Sequence, residues 1–186
     1  RESGQKITLF TAQRKKLHAR QLAARARGAR IMQVPAGYMS NVQAKARAYA
    51  RASGALFLPL GFDLPEAREP FLEAIKRVRK RVGSPNEIWC ATGSGMLAGC
   101  LAEGFPESAI IAVGVGLKSR HLSQGLNWPR NAFIVESKLP FEKEERGRAP
   151  FPCDGNYDRK AWVLAEQRSR TVQKSIMFWN VLGPSV

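Results

Sequence analysis

Ile88-Trp89-Cys90-Ala91-Thr92-Gly93-Ser94-Gly95-Met96-Leu97-Ala98-Gly99 passes from an apolar strand, through four small residues, directly into a helix. Two glycines let the chain turn tightly and bare its N–H groups, and a helix N-terminus adds partial positive charge, so an anion is stabilised at such a turn. Thr92 and Ser94 add hydroxyls. No G-K-[ST] follows and the spacing does not satisfy G-x-G-x-x-G, which excludes a Walker A loop and a dinucleotide fingerprint. An unliganded Gly-rich turn between strand and helix fits the same residues.

Working outward, strands and helices alternate. Upstream, Ile7 to Thr11 reads as a strand, Arg14 to Arg27 as an Ala/Leu/Arg helix closed by Gly28, Arg30 to Val34 as a strand, and the stretch from Ser40 to Gly54 as an amphipathic helix. Ala55 to Leu60, continuously apolar, reads as a third strand ending at Pro59. Asp63 with Glu66 reads as a capping box before a helix that carries Phe71, Leu72, Ile75, Val78 and Val82 on one face, with Pro70 delaying its regular part. Its other face carries Lys76, Arg77, Arg79, Lys80 and Arg81, a run most often simply solvated. Downstream, Ala109 to Val113 and Ala132 to Glu136 read as strands, Asp158 to Arg168 as a helix and Ser175 to Val181 as a last strand, with a loop-rich stretch at about 117–157 suited to a lid or binding loop. The expected fold is α/β: one doubly wound domain over residues 1–186, its sheet mostly parallel with helices on both faces.

Composition narrows the partners. The chain has 186 residues, 44% of them hydrophobic, and a formal net charge of +15 that favours phosphates, nucleic acid and other polyanions. Cys90, Cys100 and Cys153 are odd in number and form no C-x-x-C pair; with His18 and His121 as the two imidazoles, neither a disulfide framework nor a metal site is expected. No apolar run reaches the roughly 20 residues that span a bilayer and no signal pattern opens the chain, so no membrane partner and a reducing, cytoplasmic setting are expected.

Thr92-Gly93-Ser94-Gly95-Met96-Leu97-Ala98-Gly99 resembles the phosphate loop of the fold type II pyridoxal-phosphate enzymes, the tryptophan synthase β-like group, whose usual form is G-S-G-G-T-L-A-G. Gln13, then His18-Ala19-Arg20-Gln21 with Ala23-Ala24 and Gly28, is similar to the Q-S-N-H-x-R-Q-x-A-A segment of the aminocyclopropane-carboxylate deaminase and D-cysteine desulfhydrase branch. Ile176 to Trp179, running to Gly183, is similar to the family's last core strand.

The resemblance implies pyridoxal phosphate as cofactor and a lyase or deaminase reaction on an amino acid or amino-acid-like substrate. It implies that Thr92, Gly93, Ser94, Gly95 and Met96 hold the phosphate, that Asn180 faces the cofactor ring, and that Gln13 and His18 contact substrate or move a proton. The family's cofactor-bonding lysine belongs to a segment upstream of Arg1, which leaves Lys15 and Lys16 as weak candidates; solvated surface lysines fit their basic segment better. The pattern also departs at Met96, which replaces Gly-Thr in a loop one residue shorter, and at Val181, which replaces a hydroxyl residue. Tyr38, Tyr157 and Lys160 carry no assignment.

A second reading keeps the anion pocket in a relative, catalytic or not, that binds a nucleotide, nucleic acid or protein partner. Gly155 to Trp162 and Phe178 to Val181 look like segments of small phage-encoded members of the group, a resemblance that would imply a role in modifying DNA bases. A phosphoribosyltransferase-like site ranks last, because Trp89-Cys90-Ala91 stands where paired acids would precede the Thr-Gly loop. Self-association into a homo-oligomer is compatible with all three.

Overall fold

A computed structural model describes residues 4–35, 37, 39–62, 64–115 and 128–181. Tyr38, Asp63, His121 and Gly183, all used in the sequence reading, lie outside them. The chain divides into two compact units, Arg1–Leu60 with Val186, and Gly61–Ser185.

The first unit is built from β1 (Thr8–Ala12), α1 (Ala19–Ala26), β2 (Arg30–Val34) and α2 (Met39–Ser53), and the two strands pair in parallel from Thr8 opposite Arg30 to Ala12 opposite Val34. Helix α1 starts at Ala19, five residues later than the composition suggests, because His18 and Gln21 form a capping box there. The helix ends at Gly28, whose φ of 91° allows the paired bonds Gly28 N–H to Arg25 O and Ala29 N–H to Ala24 O. Helix α2 begins at Met39, which places Ser40 inside its first turn rather than at the cap, and it buries Val42 and Ala50 as the apolar stripe requires.

Ala55 to Leu60 is not a strand. Pro59 supplies no N–H to a ladder, and Leu56, Leu58 and Leu60 stay in solvent, Leu56 at 82% exposure. Hydrophobicity alone, without a neighbouring strand edge, does not make a strand.

The second unit holds α3 (Pro65–Val82), β3 (Glu87–Thr92), α4 (Met96–Gly104), β4 (Ala109–Gly114), β5 (Ala132–Glu136), α5 (Asp158–Ser169) and β6 (Ile176–Trp179). Leu64 occupies the N-cap of α3 without a side-chain bond, so the expected capping box is replaced by Pro65 at the first helical position, where its preset φ suits helix and its missing N–H costs nothing. The helix runs through Pro70 instead of being delayed by it. All strand pairs are parallel, in the order β5-β4-β3-β6.

Period-two alternation sorts the side chains of this sheet into two cores. Ile88 and Cys90 of β3, Ile110 and Ala112 of β4, and Met177 and Trp179 of β6 pack with α3 and α4 residues Ile75, Leu101 and Phe105. The intervening Trp89, Ala91, Ile111, Val113, Ile176 and Phe178 pack with Ala161, Leu164 and Ala165 of α5. Helices therefore cover both faces, as doubly wound topology requires. A side chain at Gly104 would collide with Ile75, so the glycine lets α3 close on the end of α4. Asn131 completes that end, its Nδ2 lying 3.1–3.2 Å from the carbonyls of Ala102, Phe105 and Ser108.

Residues 137–157 lack regular structure but are tied to α5. Lys160, 2% exposed, donates to the carbonyls of Pro140 (2.7 Å) and Phe141 (3.3 Å). Arg159 donates to Glu145 O and Cys153 O, Trp162 to Arg148 O, and Phe151 packs against Trp162 and Phe178. A loop without its own ladder thus has carbonyl groups satisfied by side chains of the helix beneath it.

Candidate functional site

In an open parallel sheet, ligands bind beyond the carboxyl ends of the strands where the connections change direction. In the second unit, β3 connects through α4 to β4 on one side, while β6 arrives on its other side after α5 on the opposite face. The switch lies between β3 and β6, and the loop Thr92-Gly93-Ser94-Gly95 stands at its mouth.

The backbone makes the loop an anion cradle. Thr92, buried, ends β3 opposite Gly114 and its carbonyl accepts from Val115 N–H. Gly93 is exposed. Gly95, the N-cap of α4, has φ 89° and ψ −14°, a left-handed conformation that glycine adopts without strain. It turns the chain so that the first N–H groups of α4, which have no acceptor one turn back, face the loop. Ser94 Oγ sits 3.5 Å from Met96 N, too long for a firm cap, and leaves its hydroxyl available to a ligand. A side chain at Gly61 would collide with that hydroxyl, so a bare backbone lines this side of the loop. Met96, assigned to the phosphate by resemblance, is 9% exposed and packs in the core; only its backbone N–H faces the loop. Small residues, free N–H groups and a hydroxyl, with no carboxylate in the loop, fit a phosphate.

Tyr157 is the residue that sequence reasoning missed. Its hydroxyl oxygen accepts the Gly93 N–H, and burial, with the carboxylate of Asp158 and then Cys90 adding to it, pushes the phenol up to about 12. The phenol stays protonated at neutral pH, so it takes one hydrogen from the loop and still has its own to give. Burial, with Asp158 behind it, likewise holds the Cys90 thiol protonated at about 12, which removes it as a nucleophile. Asp158, fully buried at the start of α5, accepts from the Val181 N–H at 3.3 Å and thereby ties the end of β6 to the same cluster. A tyrosine before a helix is an ordinary surface pattern; only the crossing of α5 over β3 brings it to Gly93.

Of the other expected site residues, Asn180, Gln13 and His18 make local contacts within their own units. Asn180 is exposed and gives its Nδ2 to Pro152 O at 3.0 Å, a loop-anchoring role. Gln13, Lys15, Lys16 and His18 belong to the first unit and are exposed. The backbone N–H of Gln13 extends the β1–β2 ladder by donating to Val34 O at 2.7 Å. His18 Nδ1 accepts from Arg20 N at 3.2 Å, which commits that ring nitrogen to the helix cap. Cys90, Cys100 and Cys153 are buried and form no disulfide; among the described residues no three His, Cys, Asp or Glu side chains cluster as a metal site would need. Among the described residues no helix is long and apolar enough to cross a membrane.

In fold this chain is similar to the fold type II pyridoxal-phosphate enzymes. The crystal structure of an ACC deaminase homologue superposes with a TM-score of 0.70, at 16% identity, covering 94% of this chain and 65% of its own. Processed threonine deaminase isoform 2 from Solanum lycopersicum gives a TM-score of 0.49 at 17% identity over 71% of this chain and 36% of its own, too low to weigh. In sequence, the chain is 26% identical over 187 aligned positions to the glycyl-dTMP PLP-dependent decarboxylase of Pseudomonas phage M6, covering 88% of this chain. It spans 64% of the length of that relative. No family model matches.

Proposed function

We propose that this chain is the phosphate-holding part of a pyridoxal-phosphate-dependent lyase, deaminase or decarboxylase that breaks a bond at the carbon bearing an amino group. The cradle at Thr92-Gly93-Ser94-Gly95, at the switch of a parallel sheet, is the observation that carries this reading. Ser94 Oγ and the N–H groups opening α4 hold the phosphate, and Tyr157 fixes Gly93 and offers its own proton to a ligand oxygen. Pyridoxal phosphate, when bound, supplies an electron sink that the protein side chains lack. The residues of this chain contribute binding, orientation and local proton donation. Lys160 is engaged by two carbonyls; Lys15 and Lys16 are kept as weak lysine candidates and Gln13 and His18 as substrate-side candidates, as the resemblance implies.

Adding pyridoxal phosphate to the protein tests this. A visible-edge absorbance band that Ser94→Ala weakens supports the proposal, and borohydride followed by peptide mass analysis then identifies any lysine that carries the cofactor. A protein that gains no band and binds no cofactor overturns it.

The phage relative favours a narrower second reading: its named substrate, glycyl-dTMP, carries its amino-acid-like group on a nucleotide. On this reading the group acted on here is also borne by a nucleotide, and turnover of a nucleotide-linked amino acid over the free amino acid supports it.

A further inference from the structure

The positive charge of this protein is divided unevenly. Residues 1–60 hold twelve of the thirty Lys and Arg but one of the fifteen Asp and Glu, a net +11 of the +15. Residues 4–60 carry seven Arg and four Lys with no carboxylate side chain at all, and every one of these cations is exposed. The second unit handles charge differently. There Arg68 pairs with Glu103, Lys76 with Glu73, Arg79 with Glu107, Arg170 with Glu166, and Arg168 and Lys174 with Glu87. No such neutralisation by Asp or Glu side chains is available within residues 4–60. Like charges gathered in one unit repel and oppose compaction, a standing cost that an anionic partner removes.

The first unit also offers a place for part of that partner. A cavity of about 390 Å³ is lined by Leu17, Arg25, Ala29, Arg30, Ile31 and Gln33. Two Arg residues line it together with the apolar Leu17, Ala29 and Ile31 and the polar Gln33. Guanidinium forks match phosphate oxygens, and the Leu17 and Ile31 surfaces suit a sugar or base edge. Arg14, Lys15, Lys16, Arg20 and Arg27 continue the charge along the segment and helix that bear Leu17 and Arg25.

We propose that the first unit is a docking surface for a nucleic-acid strand, with Arg25 and Arg30 gripping phosphates at the cavity and the cations of residues 14–27 extending the track. The proposal deepens the nucleotide-borne reading by naming a polymer as partner. It does not depend on the phosphate loop, and cofactor binding measured on the same preparation separates failure of one from failure of the other.

Fluorescence anisotropy of a labelled DNA duplex with the full chain tests it. Binding is expected to weaken between about 50 and about 200 mM salt, with log K falling by about 0.9 per phosphate contacted for each unit of log salt. Arg25→Gln with Arg30→Gln is expected to lower affinity about tenfold or more and to reduce the slope by about 2, at unchanged circular dichroism. Lys76→Gln with Lys80→Gln, on α3 of the second unit, should change affinity less than about twofold. Absence of binding at low salt, a double-Gln variant that binds like the parent, binding to phosphatidylglycerol vesicles without binding to DNA, or dTMP binding as tightly as the polymer would each overturn the proposal.

Discussion

At the scale of single residues, the loop works because three side-chain identities agree with one backbone path. Gly95 has to be glycine: at φ 89° a Cβ is strained, and Gly95→Ala should lower stability by about 1–2 kcal/mol in denaturant titration and misdirect the N–H groups that open α4. Ser94→Ala leaves the path intact and removes one hydroxyl, so it should cost phosphate-bearing ligands up to about tenfold in affinity while the midpoint of unfolding hardly moves. Tyr157→Phe keeps the ring and loses the oxygen that receives Gly93 N–H. It should weaken the same ligands severalfold, and amide exchange at Gly93 should speed up; unchanged exchange would mean that the hydroxyl does not anchor the loop. The turn at Gly93, Ser94 and Gly95 was legible in the sequence because small residues let a strand pass directly into a helix. Tyr157 was not, since its role arises from a chain crossing about sixty residues away.

At the scale of elements, β3 shows how a fully buried strand tolerates an acid. Glu87, at 4% exposure, accepts from Arg168 at 2.8 Å and from Trp89 Nε1 at 3.0 Å, with Lys174 at 3.7 Å. The hydrogen bond from Arg168 leads the causes that hold its carboxyl below the ordinary 4.5, outweighing burial. A depressed carboxylate stabilises the fold above its unfolded value and loses that contribution as pH falls through its folded value. Glu87→Gln should therefore cost about 1–3 kcal/mol at neutral pH, and its deficit should shrink as the pH drops below about 4.5 in denaturant titrations at stepped pH. A deficit that stays constant with pH would contradict the pairing. Most elements could be read from periodicity, because alternation in β3, β4 and β6 is enforced by helices on both faces. The segment Ala55 to Leu60 misled because an apolar run encodes burial only where another surface covers it, and the late start of α1 followed from a His–Gln cap that composition does not reveal.

At the scale of the whole molecule, the chain combines a second unit in which eighteen Lys and Arg face fourteen Asp and Glu with a first unit that holds +11 of the net +15. The fold class could be read from the alternation of strands and helices, and the path of the loop from its small residues. The division into two units could not, because the apolar run from Ala55 to Leu60 reads as one more strand between the helices on either side. The central claim is that Thr92-Gly93-Ser94-Gly95 binds the phosphate of a pyridoxal-type cofactor, and calorimetric titration with pyridoxamine 5′-phosphate, which forms no bond to a lysine, tests it most directly. The account predicts saturable binding that inorganic phosphate competes away, that Ser94→Ala weakens up to about tenfold, and that pyridoxamine without the phosphate fails to reproduce. Equal binding of pyridoxamine and its phosphate, or binding indifferent to Ser94, would contradict it.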